Sequence, residues 1–154
     1  MKKLILVLLL ALCLAQPAWA GMKEANAAYH RGDYATAYRE FKPLAAKGDA
    51  VAQYNLGVMY YKGQGVPKDY KQAACWYRKA AEQGHTSAQY SLGAMYSKGE
   101  GVPKDNVLAH MWLNLAAFRG NKNAIRYRDA VAAVMTPQQK AEAKRLAREW
   151  KPKK

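Results

Sequence analysis

Apolar residues recur between positions 50 and 120 with the period of an α-helix. One apolar stripe is formed by Ala52, Leu56, Met59 and Tyr60. Residues 73–81 repeat the same spacing, and spacings of three and four residues place side chains on one face of a helix. Each pair of such stretches therefore predicts two amphipathic helices that pack together as a hairpin.

The whole pattern returns after 36 residues. Residues 52–60 reappear largely unchanged as 88–96, and the glycine-rich stretch 62–69 reappears as 98–105. A weaker copy lies upstream, in residues 33–48. Repeats of this length are typical of helical solenoids, in which each unit buries its apolar face against its neighbours.

Local signals mark where the helices end and where the stack closes. Gly48, Gly84 and Gly120 are 36 residues apart and are predicted to stop the second helix of each hairpin. Thr136 and Pro137 have the N-cap and first-turn preferences that begin a last helix. The apolar stripe predicted to close the open end of the stack is Ala143, Leu146, Ala147 and Trp150.

The repeated residues resemble a known family. The pattern A-x-x-x-L-G-x-x-Y-x-x-G-x-G-V-x-x-D-x-x-x-A-x-x-W-x-x-x-A-A-x-x-G is similar to the Sel-one-like repeat (SLR) family of the tetratricopeptide-like (TPR-like) superfamily. The pattern is carried by residues 52–84 and again by residues 88–120. The resemblance implies an all-α fold, a right-handed α-solenoid of stacked helix hairpins with a C-terminal capping helix.

Residues 1–20 have the pattern of a secretory signal peptide. A short positive stretch precedes an apolar run over residues 4–14, which is shorter than the roughly 20 residues that span a bilayer. Residues 18–20 read Ala-Trp-Ala, so cleavage is predicted after Ala20. A lipoprotein cut at Cys13 is the alternative, disfavoured because a large leucine precedes that cysteine. We expect a periplasmic or secreted protein.

These boundaries divide the chain into five parts. The first unit lacks the Gly-x-Gly-Val-Pro insertion, and Arg128 and Asp129 replace the Leu-Gly pair in the last unit, as expected where a terminal unit faces solvent. The predicted parts are a cleaved signal peptide at 1–20, a TPR-like unit at 21–48, SLR units at 49–84 and 85–120, and a degenerate terminal unit with a basic capping helix at 121–154.

The chain is strongly basic, with 25 Lys and Arg against 11 Asp and Glu and a net charge of +14. Such a charge favours polyanions, nucleic acids among them. Removing residues 1–20 lowers the charge only to +12, but export would separate the protein from chromosomal DNA and ribosomes. We therefore expect no nucleic acid, and consider acidic proteins, anionic lipids and cell-wall polymers instead.

No set of residues predicts catalysis or metal binding. His30, His85 and His110 occupy different phases of the repeat and lack neighbours at metal-ligand spacing. Asp69 and Asp105 are repeated carboxylates, but both stand where an N-cap is expected. The prediction is a non-enzymatic protein with no cofactor and no metal.

The resemblance implies a binding surface, because in this superfamily the first helix of each pair lines the concave face. The residues placed there are Tyr54, Val58, Tyr61, Lys62, Tyr90, Ser97, Lys98 and Arg126. Tyrosines offer amphipathic contact area and lysines pair with carboxylates, which predicts a protein or peptide partner, acidic ones included. The alternative is that the tyrosines pack between helices and the lysines are solvated helix ends.

Two functions are consistent with this sequence. The first is an exported adaptor or scaffold, expected to be a monomer, that binds a protein or peptide on its concave face. The alternative is electrostatic binding of an anionic envelope component, such as a cell-wall polymer, lipopolysaccharide or anionic lipid, through the basic surface. Residues 140–154, with seven basic residues beside Trp150, are the strongest candidate for that contact.

Three side chains are expected to be buried. Trp76 and Trp112 stand at the same position of the two SLR units and are predicted to fill the space between hairpins. Cys75 is the one cysteine left after cleavage, either buried and inert or able to pair between molecules. Because Met111 stands at the equivalent position one unit later, a packing role is predicted for Cys75.

Overall fold

The structure, a computed structural model, describes residues 18–154 and consists there of helices joined by short loops. The helices are α1 (Ala18–His30), α2 (Tyr34–Ala46), α3 (Ala50–Lys62), α4 (Tyr70–Glu82), α5 (Thr86–Lys98), α6 (Asn106–Phe118), α7 (Lys122–Ala133) and α8 (Pro137–Glu149). From α1 to α7 each helix packs on the next, and α8 packs on α6. The predicted all-α solenoid with a capping helix is confirmed.

The predicted signal peptide lies mostly outside the described residues. Positions 1–17 are not described, and residues 18–20 form the start of α1. Within residues 18–154, no helix has both the length and the apolar character that a membrane crossing requires.

Short polar side chains begin most of the helices. Those whose carboxylate or amide oxygen accepts a hydrogen bond from a backbone N–H three residues later are Asp33, Asp49, Asp69, Asp105 and Asn121. At α5 this place is taken by His85, whose Nδ1 accepts from the N–H of Ala88 at 3.2 Å. Thr136 and Gln139 form a capping box at α8. The start of each of these helices is therefore encoded locally.

Each loop between the helices of an SLR hairpin lies against the preceding hairpin. A Cβ placed on Gly65 would come within 2.5 Å of the carbonyl oxygen of Tyr34, and one on Gly101 would overlap the carbonyl oxygen of Tyr70. Both glycines also have positive φ, 72° and 68°. The second glycine of the Gly-x-Gly motif thus has no room for a side chain, and the repeated loop serves the stacking of units.

Another pair of glycines lets the two helices of a hairpin approach closely. A Cβ on Gly57 would lie 2.5 Å from Cδ1 of Tyr77, and one on Gly93 would lie 2.8 Å from Cγ of Leu113. Glycine weakens a helix by roughly 1 kcal/mol relative to alanine. It returns at this position because the second helix inserts a large side chain there.

The core lies along the contacts between successive helices. The largest fully buried side chains are Phe41, Leu56, Met59, Leu92, Met95, Leu113 and Gln89. Two buried amides join neighbouring units: Gln53 Nε2 donates to the carbonyl of Ala45, and Gln89 Nε2 donates to that of Ala81, both at 3.2 Å. These two buried glutamines therefore repeat with the 36-residue period, whereas a third buried polar side chain, His110, replaces Ala74 of the preceding unit.

Two of the three burial expectations are wrong. Trp112 is buried, but Trp76 is only partly buried, with Nζ of Lys79 4.5 Å from its ring centroid. Cys75 is exposed, whereas Met111 is buried. The reason is the capping helix: α4 has α3 and α5 as its main neighbours, while α6 also contacts α8.

Candidate binding clefts on the helical stack

The first helices of three hairpins, α3, α5 and α7, contribute to one surface, which we call the first-helix face. Two adjoining clefts lie on it. The α3–α5 cleft has a volume of about 200 Å³, and its lining includes Tyr61, Tyr77, Tyr90, Ala94, Lys98 and Glu100. The more open α5–α7 cleft, of about 330 Å³, is lined by Tyr90, Asn123, Arg126, Tyr127 and Ala130. Tyr90 belongs to both clefts and joins them.

Four of the eight predicted site residues line these clefts. Tyr61, Tyr90 and Lys98 come together in the α3–α5 cleft, although Tyr61 lies on a different helix from the other two. Arg126 lies in the adjoining cleft. Two tyrosines and two cations from three helices therefore line two clefts that share Tyr90.

Tyr54 does not line either cleft. Its ring stacks on that of His85 with centroids 4.8 Å apart and lies 5.7 Å from the ring of Tyr77. Burial raises the pKa of the Tyr54 hydroxyl, as expected for a side chain partly withdrawn from water. Tyr54 therefore packs between helices, which was the alternative to its placement on the binding surface.

The remaining three predicted residues also lie outside the clefts. Val58 is partly buried against the core. Lys62 is exposed in the last turn of α3. Ser97 joins two helices, because its Oγ lies 2.6 Å from the hydroxyl of Tyr127 and also donates to the carbonyl of Ala94 at 2.8 Å. The Ser97 hydroxyl therefore has internal partners.

A carboxylate that the sequence did not single out lies in the α3–α5 cleft. The Tyr61 hydroxyl donates to Oε2 of Glu100 at 2.9 Å. Burial, together with this hydrogen bond, raises the pKa of Tyr61 to about 12, so the hydroxyl stays protonated and holds the carboxylate in place. The sequence does contain a signal for this residue, because Glu100 is the middle residue of the repeated Gly-x-Gly motif. One unit earlier that position is Gln64, which accepts from Tyr29 at 2.8 Å.

The cations of the first-helix face remain available to a ligand. Lys98 and Arg126 are both exposed, and neither forms an ion pair with any residue in 18–154. Their charges flank tyrosine rings that are partly buried. The surface therefore combines aromatic contact area with two exposed cations and the carboxylate of Glu100, a composition suited to protein recognition.

The same part of the chain offers nothing that resembles a metal centre. No group of three or more His, Cys, Asp or Glu side chains among the described residues could hold an ion. The cleft carboxylate of Glu100 is occupied by Tyr61. The first-helix face is therefore equipped for binding, through aromatic contacts and charged side chains.

Comparisons with known proteins identify the repeats. A family model of the Sel1 repeat matches residues 50–85 and 86–121. No curated protein matches the chain. One similar solved structure is a protective antigen present in uropathogenic Escherichia coli strains that displays an SLR fold, with 35% identity, a TM-score of 0.82, and coverage of 87% of this chain and 30% of that one.

A second similar structure is a Sel1 repeat protein from Oxalobacter formigenes. It is 35% identical, has a TM-score of 0.65, and the match covers 73% of this chain and 44% of that one. This chain therefore spans less than half the length of either solved protein.

Proposed function

The chain is a Sel1-like repeat (SLR) protein, and we propose that it is an exported adaptor that binds a protein or peptide on its first-helix face. Sel1 repeats are generally non-enzymatic scaffolds for protein interaction. The proposal adds a surface, a class of partner and a compartment to that general role. We expect the adaptor to act as a monomer.

The observation that carries the proposal is the pair of clefts joined at Tyr90. The α3–α5 cleft places Lys98 beside the rings of Tyr61 and Tyr90, and the α5–α7 cleft extends this surface to Arg126. A peptide lying across both clefts would cover the tyrosine rings and place carboxylates near two unpaired cations. Charge-assisted hydrogen bonds of this kind are among the strongest that side chains form.

Some of the basic side chains of the capping helix and tail are paired with carboxylates. The basic capping helix is partly neutralised, because Arg145 pairs with both Glu142 at 2.7 Å and Glu149 at 2.6 Å. Lys153 of the tail pairs with Glu82 at 2.8 Å. Glu142 and Glu149 are already counted in the net charge of +5 that residues 140–154 carry, so only the pair with Glu82 lowers the positive charge of this surface further. Binding of a cell-wall polymer, lipopolysaccharide or anionic lipid there remains the alternative function.

Site-specific photocrosslinking in the native cell tests the surface. A photoreactive amino acid replaces Lys98, and the matched control replaces Lys62, which stands at the same position one repeat earlier but outside both clefts. Position 98 is expected to capture a discrete protein that mass spectrometry identifies. Equal capture from position 62 would contradict the assignment.

Salt dependence separates the adaptor from an electrostatic binder. Binding of a flexible polyanion such as heparin is expected to weaken steeply with salt and to be indifferent to Tyr90→Ala. Binding of the captured protein is expected to respond to Tyr90→Ala, because the ring contributes contact area to both clefts. If the captured protein behaves like heparin in both respects, the adaptor proposal fails.

Export has its own test. Cleavage after Ala20 would remove only the first three residues of α1 and would leave its buried residues, Ala25 and Ala28, in place. Protein isolated from the native cell is therefore expected to begin at Gly21 when its N-terminus is sequenced. An N-terminus at Met1 in the folded, partner-bound protein would contradict export.

A further inference from the structure

A third cleft, which we call the α6–α8 cleft, lies between the second helix of the last SLR hairpin and the capping helix. Its volume is about 480 Å³. The side chains that give it its character are Leu115, Phe118, Arg119, Arg148 and Trp150. None of them lines the two clefts of the first-helix face, so this surface is separate from the one assigned above.

The apolar part of the cleft departs from the repeat. One unit earlier, the positions of Leu115 and Phe118 are occupied by Lys79 and Glu82, which suit a solvated surface. Phe118 is 93% exposed, although the rest of α6 is largely buried. Together with Leu115 and Trp150 it forms an apolar patch at the recess, a kind of surface at which proteins bind partners.

The charged part of the cleft also departs from the repeat. Arg119 stands where the preceding unit has the neutral Gln83. Its Nη1 donates to the carbonyl of Gly84 at 2.9 Å, which fixes the guanidinium at the edge of the cleft.

The second guanidinium of the cleft, that of Arg148, forms no ion pair within residues 18–154, while Arg145 on the same helix is paired with two glutamates. The capping helix thus neutralises the arginine outside the cleft and leaves the one inside it free. The cleft accordingly combines an apolar lining with uncompensated positive charge.

These features select one kind of occupant. A second copy of this chain seated on the same cleft would bring like charges, Arg119 and Arg148, face to face, which is unfavourable. A bilayer surface is flat, whereas this surface is a recess able to hold inserted side chains. We propose that the α6–α8 cleft docks an acidic segment of a partner protein that inserts an apolar side chain beside Phe118 and Trp150.

Peptide probes test the chemistry. The first probe is acetyl-Glu-Asp-Leu-Phe-Glu-Asp-amide. The second replaces its acidic residues with Gln and Asn, and the third replaces Leu and Phe with Ser. Titration into ¹⁵N-labelled protein is expected to shift the backbone amide signals of residues 114–119 and 147–150 with the first probe. Because charge and apolar contact both contribute, the other two are expected to bind about tenfold more weakly or worse.

A matched pair of variants tests the place. Phe118→Glu introduces the glutamate that the preceding unit has at this position, Glu82. The control, Val134→Glu, introduces a glutamate at another apolar residue, which is 73% exposed and lies outside the cleft. Neither side chain supports the core, so both variants are expected to keep the parent spectrum. Phe118→Glu is expected to weaken binding of the first probe about tenfold or more, and Val134→Glu to leave it within about twofold.

Every other outcome overturns the proposal. Amide shifts confined to the first-helix face, or equal binding of all three probes, would show that the α6–α8 cleft does not dock an acidic segment. Phe118-dependent binding of phosphatidylglycerol vesicles without binding of the first probe would assign the cleft to a membrane. Phe118-dependent dimerisation in sedimentation would assign it to a second copy. Lys98→Glu is expected to leave the shifts that the first probe causes at residues 114–119 and 147–150 unchanged, so failure here is distinguishable from failure of the adaptor proposal.

Discussion

The two Sel1 repeats, residues 50–85 and 86–121, are alike where helices meet and differ where they face outward. Both use a glycine on the first helix and a buried glutamine that donates to the preceding unit. The outward residues Lys79 and Glu82 of the first repeat, however, become Leu115 and Phe118 in the second. The repeat is therefore retained at positions that stack the units, and the remaining positions can carry recognition.

A similar contrast separates two tyrosines at the same position of the repeats. Tyr54 is covered by the ring of His85, the N-cap of the next helix. Tyr90 has Asn121 at the corresponding place, and its nearest aromatic neighbour is Tyr127 at 6.3 Å, which leaves it in the lining of both clefts. The difference between the capping residues His85 and Asn121 thus accompanies the difference between a tyrosine that packs under a ring, Tyr54, and one that lines the clefts, Tyr90.

The largest expected difference between the repeats concerns their tryptophans. Trp112→Ala is expected to lower the free energy of unfolding by about 3–5 kcal/mol, because the side chain is 7% exposed and packs against Trp150. Trp76→Ala is expected to cost about 1–2 kcal/mol, because burial contributes in proportion to the apolar area removed from water. Urea denaturation measures both; equal costs would contradict the role assigned to α8.

The tryptophans also indicate how far the sequence can be interpreted. Helix positions, caps and stacking follow from period and local residue preference, and these predictions are confirmed at residues such as Asp69 and Thr136. The partial exposure of Trp76 could not be predicted, because it depends on whether another helix packs over its side chain. Repeats with the same sequence pattern receive different neighbouring helices in the middle and at the end of a stack.

The clefts were predictable only in part. The resemblance placed Tyr61, Tyr90 and Lys98 on one face, but the hydrogen bond from Tyr61 to Glu100 joins residues 39 positions apart and depends on how the loop lies on the stack. The α6–α8 cleft depends on the angle at which the capping helix packs. Its visible signals are the differences between aligned positions of the two repeats, where Lys79, Glu82 and Gln83 are followed 36 residues later by Leu115, Phe118 and Arg119.

The helix-contact glycines give the next largest effect. Gly93→Ala and Gly57→Ala are each expected to destabilise the protein by about 1–3 kcal/mol, since the added methyl would overlap Leu113 or Tyr77. This direction opposes helix propensity, which favours alanine by roughly 1 kcal/mol. Thermal denaturation distinguishes the two effects: a higher melting temperature in either variant would refute close approach at that glycine.

A smaller difference should appear as pH dependence. Burial lowers the pKa of His85, and in the folded protein its Nδ1 must be unprotonated to accept from Ala88. The unfolded chain therefore binds more protons, so stability is full above the ordinary histidine pKa of about 6.5 and falls as the pH drops below it.

His85→Asn installs the cap used at α7 and is expected to reduce the loss of stability between pH 7.5 and pH 5.5. Part of the loss remains, because burial, the main cause, and nearby Arg128 and Lys144 also lower the pKa of His110. Urea midpoints at the two pH values measure the change. An undiminished loss in the variant would show that the His85 cap does not titrate as described.

The smallest expected effect is at the thiol. Because Cys75 is exposed, Cys75→Ser is expected to change the free energy of unfolding by less than about 0.5 kcal/mol. In the folded protein its thiol should react with a maleimide, located by peptide mass mapping. A cysteine introduced by Met111→Cys should be protected, because that position is buried. Protection of Cys75 from the maleimide would contradict the conclusion that no helix within residues 18–154 covers the outer side of α4.

The role assigned to the first-helix face depends most directly on one affinity comparison. The protein captured through position 98 is titrated against wild type, Lys98→Glu and Lys62→Glu, two identical substitutions at equivalent repeat positions of which only one lies in a cleft. Lys98→Glu is expected to weaken binding about tenfold, which corresponds to roughly 1.4 kcal/mol, and Lys62→Glu to leave it within about twofold. Equal losses from both variants would show that general basic charge, and not the α3–α5 cleft, binds the partner.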